Sequence, residues 1–258
     1  GDVYKRQDLN KVREAAQRIS EARRPVIVAG GGVKYSGAYE ALNKLAEAMH
    51  VPVATSLNAK DAILDNNPLC VGVVGTYSRR SANQVVAEAD LVIFVGTRAG
   101  GMTTHFWTIP AKGTPTIQVD LDPLVNGRNY PTDVSIVGDA RVTLEKMNEL
   151  NIPVPKERVD WIKQVQEICT SYKTDFEEVY ESDAFPIRPE RIVNELSNGM
   201  PENAIIVVDT GHSGMWMGGM FEKRHEGQSY IRSAGHLGWA FPAALGAKCG
   251  APNRPVVC

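Results

Sequence analysis

The chain has 258 residues, 43% hydrophobic and 22% charged, the make-up of a globular protein able to bury one large core or two ordinary ones. Its 28 Lys and Arg against 30 Asp and Glu leave a formal charge of -2, which excludes the basic field that nucleic acid or an anionic lipid surface requires. The longest apolar runs, 91–95 and 205–208, fall far short of the ~20 residues that span a bilayer, so no transmembrane helix is expected.

Residues 1–7 (GDVYKRQ) carry neither apolar periodicity nor a signal-peptide pattern, and they are read as adapter-derived or disordered sequence outside the fold. From Asp8, a candidate N-cap, apolar residues at Leu9, Val12, Ala16, Ile19 and Ala22 mark one face of a helix that ends before Pro25. An apolar run at 25–29 then opens into Gly30-Gly31-Gly32, and Leu42, Leu45, Ala46 and Met49 mark a second helix. Strands follow at 51–54, 91–95, 116–119 and 134–137, with a helix at 81–89. Strands that are apolar throughout belong to a parallel sheet covered on both faces, so residues 8–150 are expected to form a Rossmann-like α/β domain.

Pro153 and Pro155 interrupt this alternation. Residues 156–181, rich in both charge signs, are expected to be one long connecting helix lying on the surface within a linker at 151–186. A second α/β run occupies 187–258: helix 190–197, strand 204–208, helix 213–220, strand 229–232, helix 239–248, and a strand beginning at Pro255. It is expected to be the first part of a second parallel α/β domain that continues past Cys258. The four cysteines (Cys70, Cys169, Cys249, Cys258) form neither a C-x-x-C pair nor a metal-ligand spacing, which fits reduced thiols and a cytoplasmic setting.

In an open parallel sheet, ligands bind beyond the carboxyl ends of the strands, so the residues following each strand are the candidates for chemistry. Gly30, Gly31 and Gly32 would leave amides bare for a phosphate at a helix N-terminus, or would simply make a tight strand-to-helix turn. At the same edge Gly96 and Arg98 could meet a diphosphate and Asp120 a ribose hydroxyl; the alternative is a solvated loop charge or a helix cap. If this pocket carried the function, the chain would be a nucleotide-binding enzyme for FAD, NAD or ADP, or a non-catalytic subunit.

The second half carries a more specific pattern. A strand runs into Asp209-Thr-Gly-His-Ser-Gly-Met-Trp216, and a later one into Gly235-His-Leu-Gly-Trp-Ala-Phe-Pro-Ala-Ala-Leu-Gly-Ala247. With the V-D-L-D-P and G-R-N stretches at 119–129, this resembles the thiamine-diphosphate-dependent enzymes, most closely the acetolactate synthase large subunits, over residues 8–258. The resemblance implies thiamine diphosphate with Mg2+, a 2-oxoacid substrate, a carboligase or decarboxylase reaction, and a homodimer or homotetramer. It leaves FAD open.

Residue by residue, the resemblance makes Leu237 the apolar wedge that bends the cofactor. The carbonyl of Gly235 accepts from the 4'-amino group, and Gly211, His212 and Ser213 lie near the diphosphate. Met215 and His236 are the further candidates, whereas Met215, Trp216 and Met217 also suit plain helix packing, and His225 sits in a charged, solvated turn. Two departures stand out. The histidine of Gly211-His-Ser-Gly-Met-Trp is displaced by one from the synthase pattern, and Arg98-Ala-Gly-Gly-Met replaces an Arg-Phe-Asp-Asp-Arg flavin loop. No metal ligand is named, because the magnesium-binding Gly-Asp-Gly segment is expected after Cys258 and the catalytic glutamate before Asp8, so these 258 residues alone are expected to be inactive.

Overall fold

The computed structural model describes residues 8–150, 152–233 and 235–258; residues 1–7, read above as lying outside the fold, are not among them. The first unit is a doubly wound α/β fold. In chain order it comprises α1 (Leu9–Glu21), β1 (Pro25–Ala29), α2 (Gly31–Tyr35), α3 (Tyr39–Met49), β2 (Val53–Thr55), a 3-10 turn (Leu57–Ala62), β3 (Cys70–Val73), α4 (Arg80–Glu88), β4 (Leu91–Val95), β5 (Thr116–Asp120), β6 (Val134–Val137) and α5 (Ala140–Asn148). All six strands pair in parallel, in the order β3-β2-β1-β4-β5-β6. The strand order therefore reverses between β1 and β4, the switch point at which sheets of this kind open a crevice.

The apolar runs of β1 and β4 are continuous because these strands are covered on both faces, whereas β6, at the edge of the sheet, buries only Val134 and Ile136. Ile27, Ile93 and Ile117 point into one core with Val12, Leu42 and Leu144 from α1, α3 and α5. Val26, Val28 and Phe94 point into the other, against Val85 of α4 and Trp161. Asp8 caps α1 as expected, its carboxylate accepting from the Asn10 amide at 2.8 Å.

The second unit contains α8 (Pro189–Gly199), β7 (Ile205–Val208), α9 (His212–Met220), β8 (Ser229–Arg232), α10 (Ala240–Gly250) and β9 (Val256–Val257). Its sheet is also parallel, in the order β8-β7-β9. Ile206 and Val208 pack with Val193 and Phe221 on one face, and Ile205 and Val207 with Ala240 and Ala244 on the other. Among the described residues no helix is long and apolar enough to cross a membrane.

The expected surface helix at 156–181 is corrected in two respects. It is broken into α6 (Arg158–Thr174) and α7 (Glu177–Tyr180), and α6 is docked on the first unit. Trp161 and Val165 are buried in the second core, and the indole N–H of Trp161 donates to the Pro25 carbonyl at 3.0 Å. Arg158, which reads in sequence as one more solvated charge, is wholly buried. Its guanidinium donates to the carbonyls of Ile19 and Ala22 at the end of α1 (2.5 and 2.6 Å) and of Met49 at the end of α3 (2.6 Å). Those carbonyls have no intrahelical partner, and a cation at two helix C-termini also meets the negative ends of both dipoles.

Arg158→Met keeps the aliphatic bulk and leaves three buried carbonyls unpaired, so it should lower unfolding stability by about 3 kcal/mol, at roughly 1 kcal/mol per lost bond. Urea titration measures this; a loss below about 0.5 kcal/mol would mean that solvent replaces the guanidinium at no cost.

Candidate functional site

β7 and β8 are parallel neighbours, so the loops that leave their carboxyl ends share one edge of the second sheet. Asp209, the first residue after β7, ties the two loops together. One carboxylate oxygen accepts from the Thr210 amide at 2.7 Å and the other from the Gly238 amide at 2.9 Å, while the Gly235 amide lies 3.4 Å from the Thr210 hydroxyl. Gly235 and Gly238 have φ of +80° and +82°, a left-handed conformation that a side chain would strain. Between them Leu237 is 83% exposed, and its Cδ2 lies 3.8 Å from where a Cβ on Gly211 would stand.

The structure thus brings Gly211, Gly235 and Leu237 to one place. His212 and Ser213 open α9 beside them, both exposed; the Ser213 hydroxyl donates to the Thr210 carbonyl at 3.2 Å, and the His212 ring lies 5.7 Å from that of Trp216, tilted by 36°. Met215 is exposed on the first turn, whereas Met217 is a core residue. The His236 Nδ1 lies 3.4 Å from the Ser233 hydroxyl. His225 is elsewhere, 3.9 Å from the Glu202 carboxylate. Asp209 is the residue that the sequence reading passed over, although an acid directly after an apolar strand is a recognisable loop-fixing signal.

In the first unit, Gly30, Gly31, Gly32, Gly96, Arg98 and Asp120 do lie at the carboxyl edge, around the switch point. The expectation of bare amides is corrected for Gly30 and Gly32. The Gly30 amide donates to the Val95 carbonyl (2.8 Å) and the Gly32 amide to the Gly96 carbonyl (2.9 Å). A Cβ on Gly32 would stand 2.6 Å from the Gly96 Cα, so these glycines are required by backbone packed on backbone. Asp120 accepts from the Asp122 amide at 3.0 Å, the loop-capping role, and Arg98 is exposed with its carbonyl taken by Asn129 at 2.7 Å.

Two protein-family models match the chain: the thiamine pyrophosphate enzyme central domain over residues 12–147, and the thiamine pyrophosphate enzyme C-terminal TPP-binding domain over residues 209–258. The chain belongs to the thiamine pyrophosphate enzyme family. Among curated relatives it is 36% identical to a probable acetolactate synthase large subunit of Methanococcus aeolicus, over 96% of this chain and 43% of that protein. It is 35% identical to the corresponding protein of Methanocaldococcus jannaschii, over 96% and 42%. It is 29% identical to an acetolactate synthase large subunit of Lactococcus lactis, again over 96% and 42%. The chain therefore spans less than half the length of these relatives.

In this thiamine pyrophosphate enzyme chain the two units meet through buried charges that no local pattern announces. Asp65, in the loop before β3, accepts from Arg79 at 2.7 Å and from the Lys223 amide at 2.6 Å, and its own amide donates to the Lys223 carbonyl. Arg79 goes on to the carbonyls of Gly219 and Phe221 at 2.8 and 3.1 Å. Burial opposes the Asp65 charge, yet Arg79, Lys60 and the Lys223 amide together hold its carboxyl below the usual range. The Lys60 ammonium, 3.8 Å from Asp65, makes no hydrogen bond, and burial pushes it from 10.5 down to about 8 against the pull of Asp65.

Below pH 8 both folded and unfolded chains keep the Lys60 proton, and the burial penalty is present in full. Between about 8 and 10.5 the unfolded chain binds it more tightly, so the Lys60 contribution to stability rises with pH. Lys60→Met should therefore raise the unfolding free energy read from urea titration at pH 7 by about 2 kcal/mol, and the gain should fade as the pH passes from 8 to 10. A gain that does not change with pH, or a loss at pH 7, would contradict this account.

Proposed function

We propose that the chain is part of a thiamine-diphosphate-dependent carboligase that joins 2-oxoacids with loss of carbon dioxide, as an acetolactate synthase large subunit. The observation that carries this reading is Leu237, an 83% exposed leucine held between two left-handed glycines at the carboxyl edge of the second sheet. A leucine with nothing to pack on is not fixed so tightly for its own sake; the geometry suits an apolar support under a bound ring system.

Thiamine diphosphate fits this edge. A Cβ on Gly235 or Gly238 would meet nothing within 4 Å, so the space above this backbone is open. Leu237 supplies the apolar surface on which the bent cofactor rests, and the Gly235 carbonyl is the acceptor for its amino group. Gly211, His212 and Ser213, at the N-terminus of the nine-residue α9, supply amides and a favourable dipole for the diphosphate. His236 and Met215 border the substrate side. When bound, the thiazolium acts as the electron sink for cleavage of the bond next to the 2-oxoacid carbonyl. The chain's own part is to bend, orient and hold.

The relatives are named as acetolactate synthase large subunits, which supports a place in a larger assembly; we take a 2-oxoacid as substrate, a homodimer or homotetramer as that assembly and, with four free cysteines, a reducing cytoplasmic setting. Mg2+ is part of this proposal as the partner of the diphosphate. FAD is not: with the Gly30 and Gly32 amides paired in the backbone, no observation favours a nucleotide at the first sheet.

The test uses the protein extended to the length of its relatives. Pyruvate consumption should depend on both thiamine diphosphate and Mg2+, and Leu237→Ala should slow exchange of the C2 proton of the bound cofactor by at least about tenfold, equivalent to about 1.4 kcal/mol. Turnover that ignores added or removed thiamine diphosphate would sink the assignment, and an unchanged exchange rate would remove Leu237 from it.

A further inference from the structure

Among the described residues β8 lies at the edge of its sheet and pairs with β7 alone. The Ser229 amide bonds inward to the Ala204 carbonyl, so the alternation of a parallel ladder turns the N–H and C=O of Tyr230 to the outer edge. An outer edge buried at a domain junction must find partners elsewhere. Both groups are met by side chains of the first unit. The Tyr230 amide donates to Asp61 Oδ2 at 3.1 Å, and the Tyr230 carbonyl accepts from Lys34 Nζ at 2.5 Å. Lys34 and Asp61 are themselves joined at 2.8 Å, through the same carboxylate oxygen that takes the Tyr230 amide.

We propose that Lys34 and Asp61 are positioning residues that act as a surrogate strand for β8 and thereby fix the Gly235–Gly238 loop relative to Asp209 and Gly211. This rests on the function assigned above for the loop, though the clamp itself does not. Three features of the junction carry it. The pair contacts both peptide groups of one residue, as a neighbouring strand would, and not a loose surface charge. Asp61 is 3% exposed, so a free carboxylate there would be costly without these donors. Gly235 follows the clamped Tyr230 by only five residues, so the loop begins a short reach of chain beyond the clamp.

The clamp also gives the glycine turn a purpose. Gly32 packed on Gly96 lets the five-residue α2 start directly at the sheet edge, and Lys34 on α2 then reaches across to Tyr230. Three glycines that resemble a phosphate cradle in sequence instead set the starting point of a lysine that crosses the junction.

The first experiment is backbone hydrogen exchange on this chain, which needs no cofactor. Lys34→Met and the isosteric Asp61→Asn should each speed exchange at Tyr230 to Arg232 and at Gly235 to Gly238 by at least tenfold, with β1 and β4 unchanged. Lys34→Arg, which keeps a donor for both acceptors, should stay within about threefold of the parent. Unchanged exchange at Tyr230, or a uniform rise through the whole chain, overturns the clamp. The second experiment measures C2 proton exchange at saturating thiamine diphosphate in the protein extended to the length of its relatives. A fall of at least tenfold in Lys34→Met with recovery in Lys34→Arg supports positioning, whereas an unchanged rate per bound cofactor assigns the pair to folding alone and overturns the positioning role. If the parent extended protein binds no thiamine diphosphate, the function assignment and the role of the loop both fail, while hydrogen exchange still decides whether the pair holds β8.

Discussion

Two carboxylates four residues apart, Asp61 and Asp65, hold the second sheet against the first. Neither is 10% exposed, and each takes a backbone amide from the second unit: Tyr230 in one case, Lys223 in the other. Burying two acids is expensive, and Lys34 on Asp61 and Arg79 on Asp65 offset part of that cost, while Asp61 Oδ1 keeps no hydrogen-bond partner. The arrangement of the rest follows. Gly72, at φ +90°, leaves room for the Arg79 side chain, whose Cδ would stand 2.4 Å from a Cβ there, so even a glycine inside β3 answers to this junction.

Such a junction is a poor source of stability and a good source of geometry. A hydrophobic interface of the same size would resist separation but would allow small slides, because dispersion contacts have no direction. Hydrogen bonds to the N–H and C=O of one residue do have direction, and shifting β8 by one residue would turn both groups away from Lys34 and Asp61 and swap the faces of its side chains. The Lys60 ammonium shows the same preference. It is kept in the junction at a cost, as the lowering of its proton affinity by burial records.

β1 and β4 are legible because burial on both faces leaves no polar residue in them, and they occupy the residues that the apolar runs mark; α1 starts at its aspartate cap. β3 was missed because it is four residues long, contains a glycine and pairs across an irregular register with β2. α6 was misread for a different reason. Its charges alternate as on a solvated helix, and only the tertiary fold reveals that Arg158 points at two helix ends. At the site, the motif that named Gly211, Gly235 and Leu237 was visible because it is local. Asp61 and Tyr230 are 169 residues apart, and no spacing rule connects them.

The same distinction explains why glycine-rich turns mislead. A run of glycines records only that the backbone must come close to something, and phosphate and peptide make the same demand on the Cβ. What separates the two is where the amides go. In the first unit the amides of Gly30 and Gly32 are bonded to the carbonyls of Val95 and Gly96, so backbone is the close neighbour. At Gly235 and Gly238 no atom of the described residues, apart from the glycine and its chain neighbours, stands within 4 Å of an added Cβ, although φ still demands glycine. That turn is held by its amide contacts to Thr210 and Asp209, with an exposed leucine at its centre, so its glycines answer to φ and not to backbone pressed against them.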